Sequence, residues 1–127
     1  AVSSEELDEI SKKMNLRVPL NAGDIGANFC VSGANNFSKI PKGTIFKFDS
    51  GVELIVEEYN PPCLGMSKNL AQKILDKNGN VLDETLFLQV AKYLRGLVGV
   101  VEVPGMIHKN DEFLIIPYTS PRWAKNQ

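Results

Sequence analysis

Val52-Glu53-Leu54-Ile55-Val56-Glu57-Glu58-Tyr59-Asn60-Pro61-Pro62-Cys63-Leu64-Gly65-Met66 decides how this chain folds. The first eight residues are rich in β-branched and aromatic side chains, which favours a strand. Asn60-Pro61-Pro62 stops it abruptly. Two successive prolines offer no backbone N–H and hold φ near −65°, so neither strand nor helix can run through them. Cys63 follows, and after it a stretch with helical spacing. A cysteine on a rigid strand-to-helix turn is exposed at a sheet end and close to a helix N-terminus, where thiolate is the favoured form. The plain alternative is a small apolar residue buried under the turn. On local pattern alone both readings stand.

Outward from this turn, the 127 residues are of one-domain length. That is enough chain to bury about two-thirds of its surface without staples. Lys and Arg number 14 against 15 Asp and Glu, a net charge of −1, and no basic block stands out. A nucleic-acid partner and an anionic membrane surface are therefore not expected. Apolar runs such as Leu97 to Val101 are strand-sized, well short of a membrane span. No secretory leader pattern opens the chain. Two cysteines, Cys30 and Cys63, make a poor disulfide framework, so free thiols in the cytoplasm are the expectation. His108 is the only histidine and has no ligand spacing around it, which argues against a Cys/His metal site.

Ser3 and Glu6 stand at capping-box spacing before Leu7, Ile10 and Met14, so a helix starts at Ser3 and Asn15 ends it. Gly23 to Asn28 is a glycine-punctuated turn that leads into the short strand Phe29-Cys30-Val31. Thr44 to Phe48 and Val52 to Tyr59 pair as a hairpin across Asp49-Ser50-Gly51. Ser67 caps a helix from Lys68 to Lys77, closed by Asn78-Gly79-Asn80. A second helix covers Glu84 to Leu94, Gly96 stops it, and Leu97 to Val103 and Phe113 to Pro117 are strands. The tail from Tyr118 to Gln127 is peripheral. Short strands joined by turns, with helices inserted, predict a mainly β fold that closes into a barrel or nearly so.

Three ordered segments carry a resemblance. They are Gly23-Asp24-Ile25-Gly26-Ala27-Asn28-Phe29 with Val31-Ser32-Gly33; Pro41-x-Gly43-Thr44 with Gly51-Val52-x-Leu54 and the Pro62-Cys63 ending; and Arg95-Gly96-x-x-Gly99-Val100 with Pro104-Gly105-x-Ile107 and Asp111. Together they resemble the MOSC domain, the molybdenum cofactor sulfurase C-terminal module, across Ser3 to Ile116. Lys109-Asn110 stands where the family more often has Pro-Gly. Family members begin with strands and a basic Gly-Asp-Arg-type segment, whereas this chain opens at the helix that follows them. The resemblance therefore implies a single MOSC-like domain, over residues 1–127, that is either a fragment of a longer protein or a shortened domain completed by a partner.

The resemblance implies a domain that binds the molybdenum cofactor, molybdopterin, or moves sulfur. Cys63 is its catalytic residue, either carrying sulfur as a persulfide or ligating molybdenum. A thiolate is the nucleophile that attacks a sulfur donor, and soft thiolate suits a soft metal. Asn28 and Arg95 match the family's cofactor-side asparagine and arginine. A guanidinium clamps phosphate, although Arg95 could equally cap the preceding helix. Lys68 is a further candidate for phosphate or for the thiolate, against the plain reading of a solvated lysine. Cys30, among apolar neighbours, reads as an inert core thiol. The implied activities are a sulfurtransferase or a component of a molybdenum-dependent reductase. The implied partners are a molybdoenzyme or a cysteine desulfurase, the latter the carrier of any pyridoxal phosphate. The alternative is a non-catalytic cofactor-binding or protein-interaction module in which Cys63 is structural.

Overall fold

The computed structural model describes residues 1–126. In chain order the elements are β1 (Val2–Ser3), α1 (Ser4–Lys13), β2 (Cys30–Val31), β3 (Ile45–Phe48), β4 (Glu53–Tyr59), α2 (Leu64–Lys73), α3 (Leu86–Val90), β5 (Leu97–Val103) and β6 (Phe113–Ile116). Single 3₁₀ turns occupy Ala22–Ile25, Phe37–Lys39 and Arg122–Asn126. The chain divides into two compact units, Ala1–Lys39 with Tyr59–Leu97, and Ile40–Glu58 with Val98–Gln127.

In the first unit the start of α1 is set by Ser3, whose Oγ accepts from the Glu6 N–H at 3.3 Å. Such a cap satisfies one of the free donors of a helix start. Glu5 and Glu6 stand in the first turn and Lys12 and Lys13 in the last, matching the helix dipole at both ends. Leu7, Ile10 and Met14 face a core completed by Val2, Leu16, Leu20, Ile25, Leu70, Ala71, Leu82, Phe87 and Ala91. β1 and β2 pair in parallel, Val2 with Cys30 and Ser3 with Val31.

In the second unit β3 pairs antiparallel with β4 on one side and with β6 on the other, in a sheet ordered β5-β4-β3-β6. Phe46, Phe48, Val52 and Val56 are buried, and the Phe113 ring lies 5.0 Å from Phe46 and 4.9 Å from Phe48. Gly99 lets β5 approach its neighbour, since a Cβ there would collide with the Ile55 carbonyl.

The expected closed barrel is a correction. Among the described residues β5 and β6 stand at opposite ends of the sheet order and are not paired with each other. Without that pairing the sheet stays open, and the fold is mixed α/β rather than mainly β. Helix boundaries differ as well. Cys63, not Ser67, is the N-cap of α2. Ser67 is buried instead, and its hydroxyl donates to the Glu84 carbonyl at 2.6 Å. The helix ends at Lys73, ahead of Asn78-Gly79, because Leu75 forms a β-bridge with Val81. The expected helix from Glu84 to Leu94 shrinks to α3, as Tyr93 turns left-handed at φ 63°.

Candidate functional site

The strand–proline–cysteine turn has the predicted form. β4 ends at Tyr59, Asn60-Pro61-Pro62 belongs to neither strand nor helix, and Cys63 sits at the N-cap of α2 with φ −116° and ψ 155°. Its Sγ accepts from the Met66 N–H at 3.4 Å, and its carbonyl accepts from the Ser67 N–H at 3.1 Å. Sulfur thus occupies the place that a Ser or Asp oxygen takes at an ordinary helix start, facing the positive end of the dipole. The side chain is exposed, so it is not a packing residue.

Arg95 is the residue coupled to it through charge. The guanidinium is half-buried, and Cys63 is among the groups that act on it electrostatically. Burial is the larger influence and lowers the Arg95 pKa. One Nη donates to the Ile25 carbonyl at 2.8 Å, at the C-terminal end of the 3₁₀ turn where a cation is welcome. That leaves most of its five N–H donors uncommitted. Arg95 therefore does not cap the preceding helix; α3 ends earlier, at Val90.

Gly96 fixes this arrangement. Its φ of 105° and its closeness to the Ala1 carbonyl exclude any side chain. Its carbonyl accepts from the Asn60 N–H at 2.8 Å, tying the cysteine turn to the arginine segment. Its own N–H donates to Ser38 Oγ at 2.8 Å. Tyr93, just before, stacks at 5.3 Å against Tyr59 at the other end of the same pair of segments, with Lys92 Nζ 5.3 Å from its ring.

Asn28 is exposed ahead of β2, and Lys68 is exposed in the second turn of α2. No described hydrogen bond or ion pair joins either to Cys63. Asp24 caps its turn reciprocally with Asn21, and Asp111 accepts from the His108 N–H at 2.8 Å. Cys30 is a correction. It is exposed, because the two-residue strand turns Val31 inward and Cys30 outward. Partial burial and the carboxylates of Glu5 and Asp8 still push its pKa above the ordinary thiol value. Ser38 escaped notice because a serine after Asn35-Asn36-Phe37 reads as an ordinary turn polar residue.

Comparison with known proteins bears on the same residues. The MOSC domain family matches residues 1–113. This chain belongs to the MOSC family. It is 32% identical over 117 residues to YuaD of Bacillus subtilis strain 168, a protein whose name provisionally places it in metal-sulfur cluster biosynthesis. That match takes in 92% of this chain but 59% of YuaD. The crystal structure of Bacillus subtilis YuaD superposes with a TM-score of 0.83 at 30% identity, over 93% of this chain and 63% of that one. The MOSC fold is thereby shown, and this chain spans about three-fifths of the relative it matches. Among the described residues no helix is long and apolar enough to cross a membrane.

Proposed function

We propose that this MOSC domain handles sulfur through Cys63, as an acceptor and carrier loaded by a persulfide donor such as a cysteine desulfurase. The observation that carries the reading is the exposed Cys63 Sγ at the N-cap of α2, where it accepts from the Met66 N–H. In the loading step the Cys63 thiolate attacks the terminal sulfur of the donor's persulfide. A new S–S bond forms at Cys63, the donor's S–S bond breaks, the transferred sulfur keeps its proton, and the donor cysteine leaves as a thiolate. No net oxidation occurs. The name of the similar protein YuaD, with its reference to metal-sulfur clusters, supports a sulfur-related role.

A second reading, molybdenum cofactor binding, is favoured by Cys63 and Arg95 together. A soft thiolate and a guanidinium with free donors suit a molybdenum centre carrying a pterin phosphate. Cys63 would ligate the metal and Arg95 would hold the phosphate. When bound, the cofactor would supply the redox chemistry.

One experiment tests both. The protein is incubated with a cysteine desulfurase and cysteine, and separately purified from a molybdenum-cofactor-producing host. A gain of one sulfur on the Cys63 peptide, removed by a reductant, supports the carrier. Stoichiometric molybdenum lost in Cys63→Ala supports the second reading. If neither result is seen, the alternative holds: a non-catalytic cofactor-binding or protein-interaction module in which Cys63 is structural.

A further inference from the structure

Glu6 is 7% exposed and Ser38 is 2% exposed, and neither is accounted for by the cap of α1. The Glu6 side chain does not complete the expected capping box. It turns inward, where its carboxylate accepts the Ser38 hydroxyl at 2.6 Å and the Ser38 N–H at 3.1 and 3.3 Å. Ser38 Oγ in turn accepts the Gly96 N–H, and the Gly96 carbonyl accepts the Asn60 N–H, each at 2.8 Å. A continuous chain of hydrogen bonds thus runs from α1 to the cysteine turn.

We propose that Glu6 and Ser38 are positioning residues for Cys63, acting through Gly96. The inference rests on reading Cys63 as the reactive thiol. A serine hydroxyl has one proton, and Glu6 Oε1 accepts it, so Glu6 fixes which way that proton points. The hydroxyl lone pair is then aimed at the Gly96 N–H. Gly96 is buried and has no other described partner for that N–H. Removing Ser38 Oγ leaves a buried donor unmade, and the peptide moves to find a substitute. Two things depend on that peptide. Arg95, on which Cys63 acts electrostatically, immediately precedes it, and Asn60 is anchored to it. From Asn60, two prolines transmit the anchor to Cys63 with little freedom to absorb a shift. Burying a carboxylate is costly, and an apolar pair of similar volume would serve stability as well. A demand for orientation accounts for keeping it.

The test reads alkylation of Cys63 by iodoacetamide at pH 7, by peptide mass, at a temperature where each variant is folded. Ser38→Ala and Glu6→Gln slow Cys63 about tenfold, the scale of one lost hydrogen bond. Cys30 in the same molecules is unaffected, and Ser38→Thr, which keeps the hydroxyl, restores most of the rate. Ser11→Ala is the matched control. Its buried hydroxyl bridges the Leu7 carbonyl at 2.7 Å and the Leu20 N–H at 2.9 Å, with no described link to the turn. It costs stability and leaves Cys63 at the wild-type rate. If Ser38→Ala does not fold, Glu6→Gln and Ser38→Thr carry the comparison. A Cys63 rate at or above wild type in Glu6→Gln, or equal slowing in Ser11→Ala, overturns the proposal. Sulfur loading is assayed separately. Alkylation that responds in a protein taking up no sulfur sinks the proposed function and leaves the positioning role standing.

Discussion

The Asn60 N–H donates to the Gly96 carbonyl at 2.8 Å, and this bond joins residues 36 apart in sequence. It ties the end of one strand to the start of another, and with them the segment that carries Cys63 and the segment that carries Arg95. Gly96 is therefore a demanding position. Gly96→Ala places a Cβ on the Ala1 carbonyl at a φ of 105°, and we expect it to cost at least about 2 kcal/mol or to prevent folding. Urea denaturation measures this; a loss below half that figure contradicts the geometry.

Cys63→Ser separates the cap from the chemistry. A hydroxyl is a better N-cap than a thiol whose bond to the Met66 N–H is 3.4 Å long. Stability should be unchanged or raised by up to about 1 kcal/mol, while sulfur loading disappears. Thermal melts and persulfide mass measurement together check it. Retained loading would remove Cys63 from the reaction.

Cys30 should react more slowly with iodoacetamide than Cys63 at neutral pH, although both are exposed. Its thiol is held up by partial burial and by Glu5 and Asp8. Because its folded pKa lies above the unfolded one, any stability it contributes is present below the ordinary thiol range and is lost as pH rises through the folded value. Cys30→Ala should change stability by no more than about 0.5 kcal/mol, as befits an outward-facing side chain. Faster labelling of Cys30 than of Cys63 would contradict both assignments.

Glu5 predicts the acid limb of the stability curve. Its carboxylate accepts the Gly33 N–H at 2.6 Å, and then the Ser3 and Ser4 hydroxyls at 3.0 and 3.2 Å, which lowers its pKa from the ordinary 4.5. A depressed carboxyl stabilises the fold above its unfolded pKa, and that contribution is lost as pH falls through the folded value. Glu5→Gln should flatten the stability–pH curve below about pH 4.5 relative to wild type. Parallel curves would show that Glu5 is not the group responsible.

Arg95→Lys should not substitute for arginine. A lysine ammonium cannot hold the Ile25 carbonyl and also present a planar fork to an anion. We expect Cys63 alkylation at pH 7 to slow in both Arg95→Lys and Arg95→Gln, with a stability loss of about 1 kcal/mol for the Gln variant. An unchanged rate in Arg95→Gln would separate the arginine from the thiol.

Much of the site was legible in the residues. Pro61-Pro62 restricts its own backbone, so the stop before Cys63 is local and needs no tertiary information. Ser3 caps α1 as its spacing implies. The ordered glycines, the Pro-Cys turn and Arg95 carried the MOSC resemblance, which the family match bears out, and hydrogen bonds tie Arg95 to Ile25 and Gly96 to Asn60. The start of α2 was placed late because Ser67 is a better intrinsic cap than Cys63. Tertiary bonds from Ser67 to the segment around Glu84 outweigh that preference.

What the sequence by itself determined is set by forces that act over a few residues: strand propensity in Val52 to Tyr59, proline geometry, capping and turn glycines. What only the tertiary structure decided involves partners far apart in the chain. Glu6 turns from its own helix cap to Ser38, 32 residues on, because burying that carboxylate requires donors that the first turn of α1 cannot provide. Cys30 faces outward because Val31 packs inward. The sheet stays open because β5 and β6 lie at its two ends, an outcome of strand order that alternation within each strand cannot specify.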